Sequence, residues 1–564
     1  MYLMISQKLK FYFCLGTIFF VLLIGFNSSQ EAFAQEVYLG QERSFNVQFD
    51  YDLFGRTTVE VELIKITNNL YFYADKEWLK ELSSGNRQEI DTKLYNLANE
   101  FEYKIYPNLT KIFGNEDNPG IDNNSRIIVV LHKMEPIIGG YIKTEDHYST
   151  QFYPHSNMGQ IIYLNTNNIL SLSLNNLSYH LAHEFLHLIT LNQNPKEEVW
   201  LNEARAEYTE TLLGYGGKWE ESNLRDRLQQ FLRENEVSLL SWDSSSYDYA
   251  KINLFVHYLV DFYGVDILVD SLKSSLSGVD ALNYALKQKG FSEDFSVVFT
   301  NWIIASIVND CSLGEKYCYQ NAFLQDFTLF PYTYYLPTKS KSSLSVTDSM
   351  KNWEAKWQKI SGGSGIIKLK FTIPEQTPID KIPYIIESVD GKKTIGFFDF
   401  SRTNIQEIYI EDMGTKNKAI YFIPFIASFD EENKNYYYSW EASNVESSIQ
   451  QEGEIIQALL KKIDELKRQV VFLQTQLAMQ KTYQDNASCS IFSQDLYYGM
   501  NSSEVKCLQQ FLSNLGNDIY PEKLVTGYFG PLTQAAVQRY QKFKGIITTG
   551  YFGPLTRSAA NQTL

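Results

Sequence analysis

Positive charge is scarce in this chain: 50 Lys and Arg stand against 66 Asp and Glu, a formal net charge of -16. An acidic surface repels phosphate, which argues against a nucleic-acid partner. No stretch beyond the N-terminal segment is apolar for long enough to cross a bilayer. Cysteine is limited to five residues, none in C-x-x-C spacing, which argues against a cysteine-held zinc. The acid-rich loop at 116–124 lacks the closing Glu of an EF-hand, so a solvated turn is expected there and not a calcium loop.

Apolar residues make up 44% of the chain and aromatics 15%, with 39 Tyr and 36 Phe, more than a disordered or fibrous chain carries. At 564 residues the chain is too long for one typical domain, and three or four folded units are expected. The N-terminus reads as a targeting segment. Lys8 and Lys10 precede an apolar run over 11–26, and Ala32-Phe33-Ala34 supplies a small-residue cleavage site before Gln35. An uncleaved anchor is the rival reading, but the run is short for a span. Cleavage near Ala34 implies a secreted or envelope-associated protein and removes Cys14. The four remaining cysteines fall into two local pairs, Cys311 with Cys318 and Cys489 with Cys507, which in an exported chain suggests two disulfides.

Several composition shifts divide the mature chain. Residues 36–75 alternate as strands, 77–113 turn helical with Leu94, Leu97, Phe101 and Ile105 on one face, and 126–131 and 160–165 read as buried strands. Helices dominate 176–310. A Ser/Lys linker at 339–345 then precedes short alternating strands over 346–445, expected to form a β-sandwich. Ile456, Leu459, Ile463, Leu466, Val470, Leu473 and Leu477 alternate spacings of three and four, the seam of a coiled coil within 447–482. Such a seam permits a homo-oligomer; a single amphipathic helix docked on its own sandwich is the other reading. Over 487–564, Thr526-Gly527-Tyr528-Phe529-Gly530-Pro531-Leu532-Thr533 recurs from Thr549 to Thr556, each copy a Gly turn with Pro opening a helix, and a third helix precedes them near 502–515.

The chemistry concentrates in His183-Glu184-Phe185-Leu186-His187. Leu177, Leu181, Phe185 and Ile189 mark a helix, with Asn176 or Ser178 as candidate cap and Asn194-Pro195 as its end. Residues at i and i+4 share a helix face, so both imidazoles can reach one ion. Catalytic zinc takes three protein ligands and leaves a position for water. Trp200-Leu201-Asn202-Glu203 follows after a turn-forming stretch, making Glu203 the third ligand of one Zn2+ per chain. Glu207, one turn further, is expected to accept a hydrogen bond from a liganding imidazole. Glu184 is turned about 100° from His183, beside the metal, as general base. Tyr249 is the candidate oxyanion donor, with an ordinary structural tyrosine as the alternative. The strand at 161–165 is a candidate to pair with an extended substrate, burial on both sides being the competing reading. His132, His147, His155, His180 and His257 lack ligand spacing and read as structural.

His183 to His187 with Trp200-Leu201-Asn202-Glu203 resembles the gluzincin metallopeptidases, the group of thermolysin and aminopeptidase N. Asn118-Pro119-Gly120-Ile121-Asp122, Gly139-Gly140-Tyr141, Ser156-Asn157, Ile162-Tyr163-Leu164-Asn165 and the stretch 198–214 extend the resemblance to the hyicolysin-type family. Arg205 departs from the small or apolar residue common there. The resemblance implies an α+β zincin-type domain over 35–338 that hydrolyses polypeptides. Residues 489–564 resemble the peptidoglycan-binding domain-like family, a three-helix module, which implies peptidoglycan or another cell-envelope glycan as partner. Two rival functions are a hydrolase of peptidoglycan peptides using the same zinc, and a surface-binding protein without turnover. The intact Glu184 argues against the latter.

Overall fold

The computed structural model describes residues 37–236, 238–339, 341–375, 377–428, 434–445, 459–467, 469–470, 489 and 491–564. The signal-peptide segment lies outside them, as do Ile456, Leu473 and Leu477 of the expected seam. Among the described residues no single helix is long and apolar enough to cross a membrane. The chain divides into two compact units, 1–446 and 447–564.

The first unit opens with a six-stranded sheet: β1 (Glu42–Asn46), β2 (Thr58–Ile66), β3 (Leu70–Asp75), β4 (Ile127–His132), β5 (Gly140–Ile142) and β6 (Ile161–Asn165), in the order β1-β2-β3-β4-β6-β5. The central strands β3, β4 and β6 run parallel and are buried throughout, as continuous apolar runs such as IIVVLH require. Their side chains alternate between two cores. Phe72, Val129, Leu131, Ile162 and Leu164 face the helices, while Tyr73, Val130, Ile161 and Tyr163 face a smaller aromatic core. The strand at 161–165 is therefore interior, and the free edge beside it is β5. The helical stretch expected over 77–113 is broken near 82–83 into α1 (Lys76–Glu81) and α2 (Ser84–Glu100). A π turn, Phe101–Ile105, then leads into α3 (Tyr106–Phe113).

After the short α4 (Thr166–Ser171) come α5 (Leu174–Gln193), α6 (Val199–Leu213), α7 (Asn223–Arg233), α8 (Ser246–Tyr263), α9 (Asp266–Leu272), α10 (Gly278–Gln288) and α11 (Phe295–Val308). Ser173 caps α5, its hydroxyl accepting from Asn176 N, one turn earlier than the expected caps Asn176 or Ser178. Asn194 ends that helix, as expected. Gly214 ends α6 in the left-handed region at φ 72°.

Strands β7 (Tyr332–Leu336), β8 (Ser343–Met350), β9 (Gln358–Gly362), β10 (Gly365–Thr372), β11 (Lys381–Ser388), β12 (Lys393–Asp399), β13 (Ile405–Met413), β14 (Asn417–Phe422) and β15 (Tyr436–Val445) form two layers. The layers are joined by a single pairing of Met413 with Asn417. Phe371 and Trp440 of one layer meet Phe398 and Phe422 of the other across the core. The Ser/Lys stretch expected as a linker runs into β8 at Ser343. The sandwich shares a core with the helices. Trp353 packs on Phe295 and Phe299, and the Trp357 indole donates to Ile303 O at 2.8 Å.

The second unit contains the helices Ser503–Asn514, Pro531–Phe543 and Pro554–Asn561 around Leu508, Leu512, Val537 and Phe552. Each repeat loop is held by a buried glutamine. Gln509 accepts from Thr526 N and Gly527 N and donates to Tyr528 O and Thr533 Oγ1. Gln541 accepts from Gly550 N and donates to Tyr551 O and Thr556 Oγ1. Residues 459–467 and 469–470 are helical, and Leu459, Ile463, Leu466 and Val470 are exposed there. Both disulfides are present, Cys311–Cys318 with Cα atoms 5.0 Å apart and Cys489–Cys507 with Cα atoms 5.5 Å apart.

Candidate metal centre

Helix α5 presents His183 and His187 one turn apart, their ring centroids 4.8 Å from each other. The chain reverses after Asn194, whose side chain donates to Leu276 O, and α6 returns against α5. This brings Glu203 Oε2 to 3.3 Å from His183 Nε2 and 3.5 Å from His187 Nε2. The three ligand atoms lie within 4.8 Å of one another. Glu203 Oε2 is buried, makes no hydrogen bond with any described residue, and faces two imidazole nitrogens. Two borderline nitrogens and one carboxylate oxygen match the donor set of a catalytic zinc site, so the residues fit that ion.

Charge within the cluster is strongly coupled. Burial opposes charge on His187, but the Glu203 carboxylate raises it to about 9. Burial likewise opposes charge on Glu203, and His187 and His183 hold it well below the carboxylate range. A divalent cation at this point would substitute for those protons.

The supporting residues differ from expectation in one respect. His187 Nδ1 lies 3.0 Å from Asn202 Oδ1, so the residue preceding Glu203 orients that imidazole. Glu207 accepts from neither ligand imidazole. Its oxygens accept from Tyr179, Asn223, Arg227 and Asn253 at 2.8–3.1 Å. It reaches His183 through the Tyr179 ring, which stands edge-on to that imidazole with centroids 5.9 Å apart. His183 Nδ1 is buried without a hydrogen-bond partner among the described residues. Burial pushes Glu207 up, but Arg227 pulls it down to about 2. Arg205 points away from the cluster. It bonds Glu197 Oε2 at 2.6 Å, Leu268 O at 3.1 Å and Ser271 Oγ at 2.8 Å, tying the α5–α6 turn to α9.

Glu184 is 5% exposed, and its carboxylate makes no hydrogen bond with any described residue. Burial raises its carboxyl, and His183 and His187 oppose that rise. Edge strand β5 lies over it: a Cβ on Gly140 would stand 3.1 Å from Glu184 Cγ. Tyr249, in the first turn of α8, packs edge-on against Trp242 with centroids 4.8 Å apart. The Arg227 guanidinium sits 4.8 Å from the Tyr249 ring centroid. The Tyr249 hydroxyl is raised far above the usual phenol range by burial, then by Glu203, Glu207 and Glu184. Tyr51, a residue the sequence pattern does not single out, is raised by burial and then by the charges of Glu203 and Glu184. No spacing marks it, because it lies in a loop more than a hundred residues before His183, where its ring packs on Tyr141. The other histidines stay outside the cluster: His132 bonds Asp52 and Tyr141, and His257 bonds Thr211 and Asn253 O.

Comparison with known proteins gives a metalloprotease relative and a family match within the second unit. The chain is 26% identical over 195 residues to the neutral metalloprotease ShpI of Staphylococcus hyicus, a match covering 30% of this chain and 42% of that protein. The chain thus spans less than half the length of that relative. Residues 501–559 match the family described as "Putative peptidoglycan binding domain". Among solved structures, the pre-peptidase C-terminal domain of a Bacillus anthracis collagenase aligns at 8% identity over 20% of this chain and 95% of that one, with a TM-score of 0.15. The Aeromonas hydrophila lysozyme inhibitor PliG aligns at 9% identity over 20% and 98%, with a TM-score of 0.14. At such scores neither likeness defines a fold or an activity for this chain.

Proposed function

We propose that this chain is an exported zinc metalloendopeptidase of the gluzincin type, held at the cell envelope by its C-terminal unit. The observation that carries the reading is the convergence of His183 Nε2, His187 Nε2 and Glu203 Oε2 beside the unbonded Glu184 carboxylate. Zinc, when bound there, acidifies a water molecule and polarises the scissile carbonyl. Glu184 takes the proton of the attacking water and passes it to the leaving nitrogen; its burial suits a base that must also hold that proton. Asn202 fixes the ring of His187. Tyr249 donates to the carbonyl oxygen as charge develops on it. The free edge of β5 pairs with an extended substrate, a role the interior position of β6 denies to that strand.

Similarity to a metalloprotease and the match over 501–559 support this reading. The same match favours a second one, in which the peptide cross-links of peptidoglycan are the substrate. The test compares the chain starting at Gln35 with its Glu184→Gln variant. Both are expected to bind about one zinc, with only the parent cleaving casein. Zinc binding with release of wall peptides and no cleavage of casein would select the second reading. Absence of zinc from both under metal-replete conditions would refute either.

A further inference from the structure

We infer that His180 is a specificity-determining residue of this site: its imidazole hydrogen-bonds an uncharged polar side chain of the substrate residue next to the scissile bond. The inference rests on the metallopeptidase reading and names the substrates that the site prefers.

His180 takes no part in the metal cluster, yet it shares the cluster's face of α5. It stands three residues before His183 and four before Glu184, so one helical turn separates it from that carboxylate. The strand above fixes its place, since α5 packs against β5. A Cβ on Gly139 would stand 2.9 Å from His180 Cε1 and Nδ1, as one on Gly140 would stand 3.1 Å from Glu184 Cγ. Two consecutive glycines thus lie over two consecutive turns of the helix, Gly139 over His180 and Gly140 over Glu184. The imidazole also packs beside the Tyr179 ring, with centroids 5.3 Å apart, and the Tyr179 hydroxyl is held by Glu207.

Side chains of β5 alternate between the faces of the sheet. Tyr141 enters the aromatic core, while Ile142 packs on the helical core and Gly140 faces Glu184. A substrate strand paired on the free edge of β5 follows the same alternation, so its side chain level with Gly140 points toward α5. His180 stands on that floor, one turn from Glu184.

The hydrogen-bonding capacity of this ring is unused. His132, His187 and His257 each bond a neighbour through a ring nitrogen. His180 is half-buried and makes no hydrogen bond with any described residue. Burial lowers the ring to about 4, so near pH 7 it is neutral and offers one N–H donor and one lone pair. An apolar side chain against it would strip water from both and leave them unpaired. A carboxylate would meet Glu184 one turn away, with no cation on His180 to offset the repulsion. An amide or hydroxyl side chain satisfies the ring without either cost. The plain alternative is an imidazole that only fills space beneath Gly139.

The mature chain, His180→Leu and His180→Gln are compared for zinc content, Tm and kcat/KM. The substrates are fluorogenic peptides alike except for the residue on one or the other side of the cleaved bond, offered as Asn against Leu and as Gln against Met. In the parent, the amide is expected to exceed its isostere by at least about 10-fold in kcat/KM at one of the two positions. His180→Leu should lose or reverse that preference and His180→Gln should keep it, with zinc content and Tm unchanged in both. A parent that favours the apolar isostere at both positions, or a preference untouched by His180→Leu, would overturn the role and leave the metallopeptidase reading standing. A parent without zinc or cleavage would bring down both.

Discussion

At the scale of single residues, the cluster of His183, His187 and Glu203 is the most legible part of this protein. His183 and His187 are local by helical geometry, and Glu203 lies within one turn and one helix of them. The buried groups around them were not legible, because burial depends on what packs from elsewhere. Lys251 illustrates the point. It reads as an ordinary charged residue of α8, yet it is fully buried and its ammonium has no hydrogen-bond partner among the described residues. Burial lowers it to about 8, against the opposing charges of Glu354, Asp248, Glu236 and Glu234. Between about pH 8 and its unfolded value of 10.5, the unfolded chain binds a proton that the folded chain does not. Stability should therefore rise with pH across that window and be lost as pH falls through it, by on the order of 3 kcal/mol. Denaturant titrations at pH 7.5 and 9.5 should show about 2 kcal/mol of this gain in the parent and none of it in Lys251→Met.

At the scale of elements, the deciding arrangement is α5, α6 and the edge strand β5. The periodicity of α5 placed both imidazoles on one face, but it does not say which strand lies over them. The strand at 161–165 looked suitable for pairing with substrate, and pairing with β4 on one side and β5 on the other makes it interior. Gly139 and Gly140 carry no apolar pattern, so a three-residue strand there leaves little trace in sequence. Gly140 is required by close approach. A Cβ there would meet Tyr163 O at 2.8 Å, Leu164 Cδ2 at 3.0 Å and Glu184 Cγ at 3.1 Å. Gly140→Ala should push β5 away from α5, cost about 1–3 kcal/mol of stability and lower kcat/KM at least about 10-fold. Zinc content should stay unchanged, since no ligand is touched. Retention of full activity in the variant would mean that β5 does not border the working site.

At the scale of the whole molecule, composition separated a catalytic stretch, a sandwich and a C-terminal module, and the cores regroup them. Trp353 and Trp357 enter the same core as Phe295, Phe299 and Trp302, so the sandwich belongs to the unit that bears the candidate metal centre. The C-terminal unit has its own core and its own disulfide. Removal of 447–564 should leave casein cleavage within about twofold of the parent while abolishing co-sedimentation with purified cell-wall sacculi. Loss of cleavage on truncation would show that the second unit takes part in the chemistry.

The sequence by itself determined the helix that carries His183, Glu184 and His187 and the helix that follows with Glu203, the repeat that builds the C-terminal helices, the two cysteine pairs and the existence of a β-rich stretch. Each of these is a local pattern, set by helix or strand periodicity or by residues close together in the chain. Only the tertiary structure decided which strand is the edge, that Glu207 is spent on Arg227 and its neighbours, that Asn202 orients His187, and that Gln509 and Gln541 hold the repeat loops. Those assignments join residues distant in sequence. Burial, charge and unused hydrogen-bonding capacity become defined for them only when the packed elements are in place.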